Sequence, residues 1–302
     1  MPKKNLQEAR QFMEELAENP PWLPYEPTLL PLLFAATRDD STSSVDDITA
    51  LIERSQKLTT RVLSIANSAV YALESTITSL NRAISLLGFR EVRTLVIMVG
   101  AVSAIKGAKL PKGFDGVGLW KHQLRTATIA RALTTVLLSE ASLGKIPREE
   151  TLAMQPDEAY VAGLLHDIGK VFLAAIRPNI WTAIEEISNE SGLSFVEAED
   201  AYWGMDHALI GAQVLHHWKL PLLLTDTINW HHAPTVAPAF KAESKMLAAA
   251  NLIAHHPEVD KGEIPDEAML LLPSGVNPGK ISGALKAALA DKKTESFSSL
   301  MD

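Results

Sequence analysis

His166 and Asp167 stand side by side in residues 159–176, AYVAGLLHDIGKVFLAAI, where the only other charge is Lys170. The apolar residues on both sides predict one buried helix with the pair inside it. A carboxylate buried beside an imidazole must be compensated by a metal ion, a hydrogen-bonded partner or a counter-charge. Four more histidines, His122, His207, His231 and His232, lie in or next to apolar segments. Imidazoles with one carboxylate suit Fe, Mn, Zn, Co or Ni, and the carboxylate can bridge two ions. Each histidine alone reads as a core residue bonded to a backbone carbonyl. A metal-free polar network is the other reading of the set, stable only if fully satisfied. His216, His217, His255 and His256 read as surface or capping residues, the last two at a helix end before Pro257.

The chain has no cysteine, so thiolate metal sites and disulfides are excluded. A net charge of −8 argues against general DNA binding, which needs a basic footprint. Lys57, Arg61, Arg82, Arg90 and Arg93 read as a solvated basic face of the N-terminal half. The first residues, MPKKNLQEARQFMEEL, lack the apolar centre of a signal peptide. The longest apolar run, residues 95–105, is too short to span a bilayer. The expectation is a cytoplasmic protein with no membrane partner. There is no GxGxxG, P-loop or GxSxG motif.

The elements that must position these residues all read as helices. Residues 5–18 carry a thin apolar stripe, and a proline cluster at 20, 21, 24, 27 and 31 interrupts the pattern. Residues 29–37, 45–54 and 58–70 follow, the second capped from the 41–44 loop. Ser79 caps LNRAISLLG, which Gly88 closes, and residues 91–105 are apolar nearly throughout. Residues 106–118, KGAKLPKGFDGVG, mark a junction. Then come a long helix over 119–140, the central 159–176 segment and a helix over 178–191. Ser194 caps a short acidic helix, Asp206 caps HALIGAQVLHHW, and residues 240–256 form another helix. Residues 257–302 read as one or two weak helices with a frayed end. No sustained period-2 alternation occurs. The fold class is all-α, with two packed helical subdomains.

RVLSIANSAVY, ITSLNRAISLLGFREVRTLVI, LLHDIGK, GMDHALIGAQVLHHWKLP and INWHH together resemble the HDOD family, the HD-related output domain of bacterial signalling. HDIGK alone would be a weaker signal, because it also occurs in HD phosphohydrolases. The resemblance implies an extension over 1–23, an HDOD domain over 24–260 and a helical tail over 261–302. Within the domain it implies an N-terminal subdomain, 24–105, and an HD-like one, 119–260. It also implies a ligand set. One ion would use His122, His166, Asp167 and a later aspartate; the other would use bridging Asp167, His207, His231 and His232, with Lys170 holding phosphate. Two positions depart from the enzyme pattern. Asn251 stands where the last aspartate is expected, and Gly118 where the related cyclic di-nucleotide hydrolases often have Glu. The substrate motif after His232 is absent too. The expectation is a non-catalytic regulatory module with at most one divalent transition-metal ion, whose partner is a signalling protein or nucleotide-like ligand. The alternative is a metal-dependent phosphohydrolase acting on a nucleotide or cyclic nucleotide.

Overall fold

A computed structural model describes residues 5–21, 28–38, 40–68, 71, 76–291 and 297–301. Among the described residues there are helices and no strands. Pro24 and Pro27 of the proline cluster, and Ala69 and Val70 of NSAVY, lie outside them.

Helix α1 (Leu6–Glu18) turns Phe12 and Leu16 inward. It packs on the C-terminal half, where Phe12 stacks on Trp203 at 5.5 Å and Asn5 N–H donates to Tyr202 O. The N-terminal subdomain holds α2 (Leu29–Ala36), α3 (Val45–Glu53), α4 (Gln56–Ala66), α5 (Leu80–Leu87) and α6 (Phe89–Gly107). The caps read from the 41–44 loop and at Ser79 are present, and Ser55 adds a third. Ser44 forms a capping box with Asp47, and Ser55 and Ser79 accept from the N–H three residues on. Helix α6 is buried on nearly every side because it is the seam, packing on α4 and α5 in its own half and on α8 in the other.

The HD-like half begins with α7 (Gly116–Ser142), capped by Asp115. It continues with α8 (Pro156–Leu165), α9 (Ile168–Ile176), α10 (Pro178–Ser191), α11 (Phe195–Trp203), α12 (His207–His217), α13 (Leu222–Asn229) and α14 (Lys241–His255). Residues 159–176 are therefore not one helix. The chain breaks at the His–Asp pair, where Asp167 has φ −101° and ψ 8°. His166 Nδ1 donates to Gly163 O, which uses a carbonyl in the last turn of α8 and helps end that helix. The stretch Pro156–Ile176 is long and apolar enough to cross a membrane, but 83% of its most apolar window is buried inside the fold. It is the core of the HD-like half.

Two glycines set the crossings. A Cβ at Gly163 would lie 2.6 Å from Ala127 Cα, so α8 lies directly against α7. A Cβ at Gly169 would lie 1.9 Å from His207 O, so α9 meets α12 backbone to backbone near Gly211. The first contact brings His122 beside His166, and the second brings His207 onto Asp167.

The tail holds two helices, as expected, and residues 292–296 and 302 of its end lie outside the described residues. Helix α15 (Asp266–Leu271) packs on α14, and α16 (Pro278–Leu289) lies on α7 with Ile281 and Leu285 fully buried. Glu140, buried in α7, takes Lys280 at 2.5 Å and Lys145 at 3.2 Å. Trp120 Nε1–H donates to Phe297 O at 2.9 Å, and the 299–301 turn rests on α6.

Candidate metal centre

The six residues singled out in the sequence converge. Asp167, His207, His231 and His232 each offer a ligand atom, all within 4.8 Å of one another, and so do His122, His166 and Asp167. Asp167 belongs to both groups. His166, Asp167, His207 and His231 are buried, while His122 and His232 are partly exposed.

Three histidines are oriented from behind. His166 Nδ1–H donates to Gly163 O at 2.8 Å, His231 Nδ1–H to Ile228 O at 2.7 Å, and His207 Nδ1–H to Glu199 Oε2 at 2.7 Å. Each bond fixes the tautomer and turns Nε2 toward the centre, the usual arrangement behind metal-bound imidazoles. The Nε2 atoms crowd together there. His122 Nε2 lies 3.2 Å from His166 Nε2, and His232 Nε2 lies 3.0 Å from His207 Nε2. His207 Nε2 is 2.8 Å from Asp167 Oδ1, off the line an N–H would need. On its other oxygen Asp167 takes Lys170 Nζ at 2.6 Å, with His166 Nε2 at 3.4 Å and His122 Nε2 at 3.7 Å.

The electrostatics follow from burial and neighbours. Burial opposes ionisation of Asp167, but His166, Lys170 and His207 outweigh it and hold the carboxyl well below its usual range. Burial lowers His122 and His231 to about 4 and His166 well below its ordinary value. Burial also works against the His207 cation, yet the Glu199 and Asp167 carboxylates raise it to about 9. Burial pushes the Glu199 carboxyl up, against the pull of His207, so metal-free the buried charge of the centre is shared among Asp167, Glu199, Lys170 and His207.

That network is incomplete. His231 Nε2, Asn251 Oδ1 and Glu199 Oε1 are buried without a hydrogen-bond partner. The bare His231 Nε2 and Asp167 Oδ1, with the other imidazole nitrogens crowded around the shared carboxylate, fit a divalent cation, since these groups supply electrons to it. The donors fit Asp167, His207, His231 and His232 as one set. The His122, His166 and Asp167 set has the Asn251 side chain against His122 where a carboxylate would complete it. A bound ion would polarise a phosphate and make hydroxide from water.

Sequence reasoning missed two residues. Glu199 sits in the short acidic helix FVEAEDAYW, where the sequence does not single it out, yet it is fully buried. Its spacing of four from Trp203, with Ala198 beside it, places it on the buried face of α11. His255 read as a helix cap, but its ring stacks on His122 at 4.2 Å. It follows Asn251 by four residues, one turn along the same face of α14. Gly118 lies in the first turn of α7, its N–H donating to Asp115 Oδ1 at 2.7 Å. A Cβ there would meet Asp115 Oδ2 at 2.1 Å, so a side chain at this position requires the Asp115 carboxylate to turn.

The family comparison agrees with this geometry. The HDOD domain family matches residues 23–234. The chain belongs to the HDOD family. An uncharacterised protein of Treponema pallidum (strain Nichols) is 26% identical to this HDOD chain over 209 residues, 69% of this chain and 37% of that one. The chain thus spans well under half the length of that curated relative. A crystal structure of a Shewanella amazonensis SB2B protein, named as a candidate phosphohydrolase, is 25% identical with a TM-score of 0.71. The match covers 96% of this chain and 98% of that one. An HDOD domain protein of unknown function from Geobacter sulfurreducens shares the fold at 24% identity and TM-score 0.67, covering 98% and 97%.

Proposed function

We propose that this HDOD domain is a regulatory module of bacterial signal transduction. It binds one divalent transition-metal ion through Asp167, His207, His231 and His232, and it acts through a protein or small ligand rather than by turnover. The observation that carries the reading is Asn251. A neutral amide faces His122 in the group that needs a further carboxylate for a second ion. Two further features support it. Lys170, the residue that would meet phosphate, is held on Asp167 Oδ2 at 2.6 Å. Access is narrow, with side-chain exposure of 15% at His122, 20% at Lys170 and 1% at Asp167.

A second reading has its own support. The four-donor group is complete, and one ion beside a lysine is enough for phosphoester hydrolysis. Turnover separates the two. Protein loaded with Mn or Fe is assayed against a panel of phosphomonoesters, nucleotides and cyclic di-nucleotides. The proposal expects no hydrolysis above that of Asp167→Ala, which removes the carboxylate common to both groups. Metal-dependent hydrolysis abolished by Asp167→Ala would overturn it in favour of the phosphohydrolase.

A further inference from the structure

Four of the five cations that read as one basic face divide between two separate clefts. Arg90 and Arg93 line a cleft of about 650 Å³ at the seam between the subdomains, among Asp40, Asp157 and Glu158. Lys57 and Arg61 lie elsewhere, on α4, and join Lys106 at the end of α6 around a separate cleft of about 200 Å³. The floor of this second cleft is apolar, made of Ile65, Val99 and Val102. No acidic residue lines it, and among the described residues no ion pair holds any of the three cations.

Three like charges around one small cleft repel each other, and a chain of net charge −8 has carboxylates enough to neutralise them. Among the described residues none lines the cleft to do so. A cationic rim on an apolar floor complements a group that is both anionic and apolar. The volume is below the roughly 300–1,000 Å³ typical of small-molecule sites, so a nucleotide is too large. One apolar side chain is the right scale. Leu300, presented from the single 299–301 turn, lines one edge of the cleft and adds to its apolar surface. Nucleic acid is disfavoured, because the cleft has no aromatic ring for base stacking and the whole chain repels a polyanion.

We infer that the α4–α6 cleft docks an acidic segment of a partner protein, which inserts one apolar side chain over Val99 and Val102 and sets flanking Asp or Glu residues against Lys57, Arg61 and Lys106. The inference rests on the reading of the chain as a binding module, and it is independent of the metal centre.

The test is selection from a randomised 12-residue peptide library on the full chain. The same selection is run on the cleft variant Lys57→Glu/Arg61→Glu/Lys106→Glu. A control, Lys112→Glu/Lys121→Glu/Arg148→Glu, carries the same change in charge away from the cleft. All six side chains are exposed, so the core is untouched. The full chain and the control should enrich peptides with Leu, Ile, Met or Phe flanked by Asp or Glu. The cleft variant should bind those peptides roughly tenfold more weakly or worse, and higher salt should weaken binding to the full chain. Asp167→Ala should bind them as the full chain does, which keeps this outcome separate from that of the metal centre. No enrichment, equal enrichment on the cleft variant, or displacement of the peptides by a single-stranded oligonucleotide would overturn the inference.

Discussion

Glu199→Gln probes the centre through a residue that no ion would touch. Glu199 is fully buried, and its Oε2 takes the His207 Nδ1–H at 2.7 Å. The amide keeps the volume and can still accept that hydrogen bond, but it removes the negative charge. Two effects follow. In metal-free protein the strongest support for the His207 cation is lost, so His207 should titrate well below its value of about 9. In metal-loaded protein the imidazole becomes a poorer donor. Removing such an outer partner weakens metal binding by about 10- to 100-fold, or about 1.4–2.7 kcal/mol. Glu199→Ala should be harsher. It leaves a hole and an uncompensated imidazolium, and breaking a buried pair this way costs about 3–5 kcal/mol. Chelator competition gives the affinity, histidine NMR gives the titration, and urea unfolding of metal-free protein gives the stability. If Glu199→Gln matches wild type in both chelator competition and His207 titration, the reasoning about how His207 is held is refuted.

Gly169→Ala places a methyl 1.9 Å from His207 O. Helices α9 and α12 must separate, at a cost of about 1–3 kcal/mol, read as a lower urea midpoint, and the metal affinity should fall with it. Asn251→Asp supplies the missing carboxylate beside His122, so elemental analysis should show the metal content rise from about one to about two per chain. Glu140 gives an acid-side signature. Lys280 first and Lys145 second hold its carboxyl below the usual range, against the opposing effect of burial. Its folded-state value is depressed, so its contribution to stability is present above the unfolded-state value near 4.5 and is lost as pH falls through the folded one. Thermal melts of Glu140→Gln against wild type should therefore differ at neutral pH and converge in acid.

Much of the fold was legible because its punctuation is local. Ser44, Ser79, Ser194 and Asp206 all cap the helices their positions suggested. The break at His166–Asp167 was not legible. The apolar string runs through it, and the break accompanies the His166 bond to Gly163 O and the close approach of α9 to α12 at Gly169 and Gly211. The six centre residues were legible as types, and their convergence followed only from a family resemblance. Glu199 was hidden by acidic neighbours that face solvent while it faces the core, and His255 by its place at a helix end. The basic face failed for a related reason. Periodicity within one helix does not say which helices share a surface, and α4 and α6 meet at Lys57, Arg61 and Lys106 while Arg90 and Arg93 face the seam.

The central claim is that one ion occupies the group built on Asp167 and shared with His207, His231 and His232. Elemental analysis of protein purified without an affinity tag tests it most directly, alongside Asp167→Ala. The account predicts about one transition-metal ion per chain in wild type and none in Asp167→Ala. Two ions per wild-type chain, or metal retained at wild-type level in Asp167→Ala, would contradict it. So would a wild-type chain that takes up no ion even after exposure to Mn, Fe and Zn.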